Sequence, residues 1–531
     1  MRAWHRYTRK LPVLPFFLLN GALACGHILV LLGAGAFLPM LPNVAGSLGR
    51  AVPYAAWGQC NYVACMGLAI LIARPLMRSL GARSLAIAAY LTFAASGLGV
   101  IASLSFYPGY VVCRLLQGLA AGLSMAPSLT LLLQQYRQGT HRIATAFWGL
   151  IAFVPFSIGP ALGGYFAYQL DDWRCLFILF SALSVLIAAI IWALAPQQKK
   201  EMEVSPASSR QLSAWVHLAA IILALQTGLN LGILTDLSGH EIASFYLFSG
   251  TVILICLFWI RYDRDRGGEH CIDVSLFQRR NFSFGLLLLC LAFMGIQGSV
   301  VQYILRLQAI DAYTPWHAGL LFLPLLLGSK PLSLHAHFMI QHGYDPRLLA
   351  SLALLIFALC FFWMGDYIRP ATWDTLFWPQ LLEGVALGYF LTPMNAIILS
   401  NVPAAQQVHA IDVINAARNV ATAWSIALSD ILWDRAADLA HNRLTTSSPA
   451  GNMAFLQGLS STVPQPGTPI FHRLQERFLQ ESGWLTFHIM FQQLAEGFVL
   501  LAVMVWLAST FHFSRHVDDL ERLIETMGED V

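Results

Sequence analysis

Residues 114–127 read RLLQGLAAGLSMAP, and residues 380–393 read QLLEGVALGYFLTP. The two stretches align without a gap. Leu115 and Leu116 match Leu381 and Leu382, Gly118 matches Gly384, Gly122 matches Gly388, and Pro127 matches Pro393. Leu/Gly-rich segments share residues by chance more often than others do, because glycine is frequent in membrane helices. A common register of two glycines and a proline points instead to two halves built on one template.

The rest of the chain fits that frame. It is 57% hydrophobic and 11% charged, with a mean hydropathy of +0.62, which leaves too little charge to cover a soluble surface. Apolar runs of about 20 residues recur along its length, each long enough to cross ~30 Å of hydrocarbon as a helix. The alternating ~10-residue segments of a membrane barrel are not seen. The reading is an all-α polytopic membrane protein with fourteen spans, near 14–38, 52–73, 83–104, 109–134, 144–168, 174–195, 214–234, 242–260, 282–305, 316–339, 348–365, 376–399, 410–433 and 486–511. The quoted stretches fall in the fourth and twelfth. The organisation expected is a six-helix half over 1–196, a linker over 197–213, two extra helices over 214–261 and a loop over 262–281. A second six-helix half over 282–511, with a long outward loop at 435–483, and a tail over 512–531 complete it.

Charge supports the count. Loops on the cytoplasmic side of a membrane protein are rich in Lys and Arg. Arg74, Arg78, Arg83, Arg137, Arg142, Lys199, Lys200, Arg210 and the arginines between Arg261 and Arg280 fall on one side; Arg50, Arg174, Arg306 and Arg369 are all the other side holds in its short loops. Both termini are therefore placed in the cytoplasm. The basic start MRAWHRYTRK precedes an apolar run too long for a signal peptide, so it reads as a retained first helix.

Several classes of chemistry find no support. Nine cysteines form no CxxC pair, so no disulfide framework or zinc site is expected. No GxxxxGK[ST], nucleophile elbow or HExxH occurs, which argues against an ATP motor or a hydrolase within this chain. His335 and His337 lie two apart, pointing ~200° from each other on a helix, so they do not chelate one metal. No cofactor, metal or nucleic-acid partner is expected, and the chain is not read as an enzyme.

Taken in order, the motifs resemble the major facilitator superfamily. Within it they resemble the fourteen-helix drug–proton antiporter branch, with the pattern of EmrB-type exporters. RLLQGLAAG resembles the fourth-helix motif, whose arginine corresponds to Arg114. SIGPALGGYFAYQLDDWRCLF resembles the fifth-helix antiporter motif through Gly159, Pro160, Gly163 and Gly164. RPLMRSLGAR sits at the loop 2–3 signature, giving Arg78, Gly81 and Arg83 as a cytoplasmic gate loop. IDVSLFQRRNFSFG and INAARN, the latter with Asn415 and Arg418, fit the EmrB type. The resemblance implies proton-coupled export of amphipathic organic compounds by alternating access, from the inner membrane of a bacterium. It also implies a periplasmic adaptor and an outer-membrane channel as partners. A transporter or sensor of the same fold without proton coupling, or a dedicated exporter of a self-made metabolite such as a siderophore, stays open beside it.

The departures from that pattern matter equally. EmrB-type proteins usually carry an aspartate nine residues before the proline matching Pro42; here that position is Gly33. Where they often carry an acid in helix seven, Asn230 stands in LQTGLN. Where the loop signature often has aspartate, Arg78 stands. An ionisable group within a span costs roughly 2.5–3.5 kcal/mol on insertion scales, so each one present needs a reason. Glu383, at the repeat equivalent of Gln117, is either the displaced proton carrier or a hydrogen-bonded packing residue. Arg114 either tunes a neighbouring acid or satisfies backbone carbonyls. His27 either titrates in place of the missing acid or packs. Asp430 reads as interfacial. Phe147, Trp148, Phe153, Phe156 and Tyr389 are candidates for an apolar pocket wall.

Overall fold

The computed structural model describes residues 12–136, 141–196, 209–234, 250–255, 257–258, 273–366, 372–447 and 469–508. These are almost wholly helical. The helices used below are α1 (Val13–Gly35), α2 (Leu41–Leu48), α3 (Val52–Leu80), α4 (Ala82–Ala102), α5 (Tyr107–Leu133), α6 (His141–Tyr168), α7 (Arg174–Leu194) and α8 (Ser209–Leu234). They continue with α9 (Arg280–Ala309), α10 (Pro315–Leu320), α11 (Leu323–Gln341), α12 (Pro346–Gly365), α13 (Trp373–Leu399), α14 (Ala404–Ser447) and α15 (Pro469–Met504). Among the described residues eleven helices are long and apolar enough to cross a membrane. α6 and α14 are long but fall outside that set. In α14 the reason is visible: Asp412, Asn415, Arg418, Asn419 and Thr422 line an internal cavity, so one face of the helix is polar by purpose.

α1 to α7 pack into one bundle and α9 to α15 into another, and the bundles meet along α3 with α14 and α6 with α10. The internal repeat explains the tightest contact in each. A side chain at Gly118 or Gly122 would collide with the backbone carbonyls of Tyr62 and Met66 on α3. At Gly384 and Gly388 it would collide with those of Leu325 and Ser329 on α11. Each pair of glycines thus lays its helix directly on a neighbour's backbone, four residues apart on both sides, as small residues do in membrane bundles.

α8 lies against α3 and α14, and the Trp215 indole N–H donates to the Leu68 carbonyl at 2.8 Å. Residues 197–208 of the expected linker, most of the second extra span, residues 262–272 of the following loop and the tail 512–531 lie outside the described residues. Parts of the outward loop expected over 435–483 are helical. α14 continues unbroken to Ser447 and α15 begins at Pro469, because the polar residues there extend helices rather than end them; residues 448–468 lie outside the described residues.

Candidate functional site

A cavity of about 350 Å³ lies between the two bundles. Its walls are mostly apolar: Leu31, Met125, Trp148, Phe293, Phe322 and Phe357 contribute from six helices or their junctions, and the polar stripe of α14 forms one side. Glu383 and His27 also line it.

Glu383 is 2% exposed, and its Oε1 has no hydrogen-bond partner among the described residues. One oxygen of the carboxyl thus stands at the edge of an open space without a donor, while the Gln380 side chain, one turn before it, bonds the group. His27 stacks on Trp148 with ring centroids 4.1 Å apart, and neither ring nitrogen has a partner among the described residues. Both belong to the cavity. Arg418 does too, with its guanidinium 5.4 Å from the Phe293 ring centre.

Arg114 is placed otherwise. It is 1% exposed, behind Gln59. Its guanidinium donates to Gln117 Oε1 at 2.8 Å and to Gln59 Oε1, and Gln59 in turn donates to the Ala34 carbonyl at 2.7 Å. Its charge sits over the rings of Phe37 at 4.3 Å and Tyr62 at 4.6 Å, with no acidic partner among the described residues. Gln117, also buried, is consumed in holding it. The structure shows why Gly33 admits no side chain: a Cβ there would lie 2.7 Å from the Tyr62 hydroxyl, which donates to the Val30 carbonyl at 2.5 Å. The tyrosine fills the place where an acid would stand.

Asn230 is not in the cavity. It lies on α8, where its side-chain amide donates to the Gln226 carbonyl at 2.8 Å, and α8 packs outside the bundles' shared interior. Tyr389 likewise points elsewhere, to His335 Nδ1 at 2.7 Å. Trp148 lines the cavity; the side chains of Phe147, Phe153 and Phe156 lie outside the described residues. Asp430, read as interfacial, accepts from Gln302 Nε2 at 2.7 Å within the second bundle.

The cavity is bounded at both ends. At one, the glycine motif of α6 meets the other bundle backbone to backbone. A side chain at Gly164 would strike the Pro315 carbonyl and one at Gly319 the Pro160 carbonyl, both across the bundles; Gly163 packs within its own bundle, where a side chain would strike the Ala36 carbonyl at the end of α1. A Cβ at Gly159 would lie 3.0 Å from the backbone of Gly35 and Ala36. Gln308 Nε2 adds a hydrogen bond to the Pro39 carbonyl at 3.2 Å. At the other end, Arg74 of α3 reaches Asp412 of α14, with Nε to Oδ2 at 2.5 Å. Sequence reasoning assigned this end to Arg78, Gly81 and Arg83. Gly81 makes the α3–α4 turn at φ 81°, Arg83 bonds the Trp192 carbonyl inside its own bundle, and Arg78 is exposed. The ion pair that crosses between bundles was missed. Its only signal is an arginine just before the helix-interior Pro75, and its partner lies on a distant helix.

The sequence profile of the Major Facilitator Superfamily matches residues 23–426. The chain is 27% identical over 482 residues to the multidrug export protein EmrB of Escherichia coli (strain K12), covering 88% of this chain and 90% of that one. It is 29% identical over 444 residues to the fatty acid resistance protein FarB of Neisseria gonorrhoeae, covering 80% and 84%. Its fold matches the inward-open xylose transporter XylE from E. coli with a TM-score of 0.55 at 13% identity, over 96% of this chain and 99% of that one. A bacterial homologue of the human lysosomal transporter Spinster, inward-facing and unoccupied, matches with a TM-score of 0.57 at 12% identity, over 94% and 99%.

Proposed function

The chain belongs to the major facilitator superfamily, and from that premise we propose that it is a secondary active exporter of amphipathic organic compounds, coupled to proton entry through Glu383. The observation that carries the reading is the cavity between the bundles, apolar on most sides, lined by a buried carboxyl with one oxygen left without a partner among the described residues. An apolar wall with a few convergent polar groups is what binds a small organic molecule, and a carboxyl in such a place binds and releases a proton as its surroundings change.

Transport follows from the two ends. The glycine-sealed end has carbonyls and α-carbons in direct contact. The other is held across the bundles by the Arg74–Asp412 pair and by α3 against α14, where a Cβ at Gly67 would lie 2.8 Å from the Ala416 carbonyl. Rocking of one bundle on the other opens each end in turn. In this reading the Arg74 end faces the cytoplasm of a bacterium and the Gly163 end the periplasm, both termini are cytoplasmic, and fourteen helices cross the inner membrane. A periplasmic adaptor and an outer-membrane channel complete the route. The chain performs no chemistry on its cargo.

Export into proteoliposomes under an imposed proton gradient tests the coupling role. Glu383→Gln should abolish gradient-driven accumulation while leaving downhill exchange of cargo. A variant with full gradient-driven export removes Glu383 from the mechanism.

One observation favours a second reading, transport without protons. Gly33 is filled by Tyr62 and Asn230 lies outside the cavity, so two positions that would carry acids by resemblance carry none. Cargo movement with no accompanying proton movement in the same vesicles would select it.

A further inference from the structure

The cavity's polar wall carries a cation with nothing to balance it. Arg74 and Asp412 neutralise each other. Arg114 is shut behind Gln59 and its aromatic rings. Arg418 remains. Its side chain makes no hydrogen bond or ion pair among the described residues, it is half-buried rather than sealed, and one side of the guanidinium rests on Phe293. Asn415, one turn before it, and Thr422, one turn after, lie on the same helical face and line the same space. A buried arginine left without a partner is costly, and a planar guanidinium backed by a ring presents its free N–H groups in a fork that fits a carboxylate, sulfonate or phosphate.

We infer that Arg418, flanked by Asn415 and Thr422, is the headgroup site for an organic anion whose apolar body lies against Met125, Trp148 and Phe293. This rests on the reading of the cavity as the cargo site and specifies the cargo's charge. The anion's two oxygens accept from the guanidinium while the Asn415 amide completes the shell; the Thr422 hydroxyl borders the site but donates to the Arg418 carbonyl at 3.0 Å. Glu383, on α13, is a separate group of the same cavity and is not the counter-ion: no contact joins it to Arg418.

The test uses the full chain in lipid nanodiscs and two probes of one shape and opposite permanent charge, naphthalene-1-sulfonate and trimethyl(1-naphthyl)ammonium, with binding measured by calorimetry. Permanent charges keep each probe in one charge state, and comparing native and Arg418→Gln proteins at one pH keeps the surroundings of the site matched. The sulfonate should bind the native protein more tightly than the ammonium. Arg418→Gln should weaken the sulfonate about 10- to 100-fold, the range for losing a charge-assisted hydrogen-bonded pair, and leave the ammonium unchanged or improved. Arg418→Lys should recover part of the loss. Sulfonate affinity unchanged in a folded Arg418→Gln protein, or a native preference for the ammonium, overturns the headgroup site while leaving the cavity as the cargo site. Failure of both probes to bind, with no displacement by a transported compound, overturns the reading of the cavity as well.

Discussion

Reversing the ion pair between Arg74 and Asp412 should separate what the charge contributes from what the helices contribute. At 2.5 Å and an effective dielectric near 20, the bare attraction is ~7 kcal/mol. Most of it is offset. The Asp412 side chain is 12% exposed and Arg74 35%, so the acid has given up much of its hydration and the base about two-thirds. Desolvation costs several kcal/mol for a buried ion, while exposed pairs measure about 0.2–1 kcal/mol. A half-buried pair with one short contact and a second at 3.4 Å falls between, at about 2 kcal/mol of coupling, or roughly a 30-fold shift in the equilibrium between closed and open at this end. Spin labels at positions 84 and 405, exposed at the inner ends of the two bundles, report the separation. Arg74→Ala and Asp412→Ala should each lengthen it, the double variant should be no worse than either single, and Arg74→Asp with Asp412→Arg should restore part of the closed population. Additive single effects, with coupling under about 0.5 kcal/mol, would show that α3 and α14 hold this end by packing alone.

Gly164→Ala places a methyl against the Pro315 carbonyl of the other bundle, where only backbone can yield, and should cost about 1–3 kcal/mol by overpacking and open that end; Gly21→Ala, with free space around it, should stabilise or change nothing in the same thermal assay. Asp345 caps α12, accepting from Arg347 N at 2.9 Å and Nη2 at 2.7 Å. Partial burial raises its carboxyl, but the Arg347 bonds and charge outweigh that and hold it below its ordinary value of 3.8. Its stabilisation is therefore complete above that value and fades as pH falls through the lowered one; Asp345→Ala should cost about 1 kcal/mol at neutral pH and flatten that acid limb in melting curves. Gly33→Asp alone should give little folded protein, since Tyr62 occupies the site, and Gly33→Asp with Tyr62→Ala should recover yield, measured by monodisperse protein in size-exclusion.

The membrane class, the helical fold and the duplicated helix were legible because each is written in local pattern: apolar length, charge alternation and a glycine register that packs Gly118 and Gly384 on a neighbour's backbone. Glu383 and His27 were legible for a related reason, since an ionisable group inside an apolar run is visible without knowing what it faces. The ion pair at the inner end was not. Arg74 and Asp412 are ordinary residues at helix ends whose pairing depends on how two helices from different bundles cross, and no periodicity encodes that. Asn230 was read by its register alone, and α8 turned out to pack on the outside, so position in sequence did not give position relative to the cavity. The partner of Asp430 was not legible either, because Gln302 comes from α9.

The absent acid at position 33 has a physical replacement. A buried arginine requires compensation, and the family pattern would place a carboxylate in the first helix, near Arg114. Here the compensation is distributed: two amide oxygens, from Gln59 and Gln117, accept its hydrogen bonds, and the rings of Phe37 and Tyr62 face its charge. A desolvated cation over a ring contributes about 2 kcal/mol, and neither an amide nor a phenyl ring takes up or gives off a proton near neutral pH. The first bundle therefore holds its arginine in one charge state through the whole cycle. In the proposed coupling the proton is taken up elsewhere, and the cavity offers Glu383, in the second bundle at the position that repeats Gln117, beside His27 in the first. The same duplicated helix thus carries the neutral member of the pair in one bundle and the acid in the other, and on that proposal the second bundle holds the coupling acid.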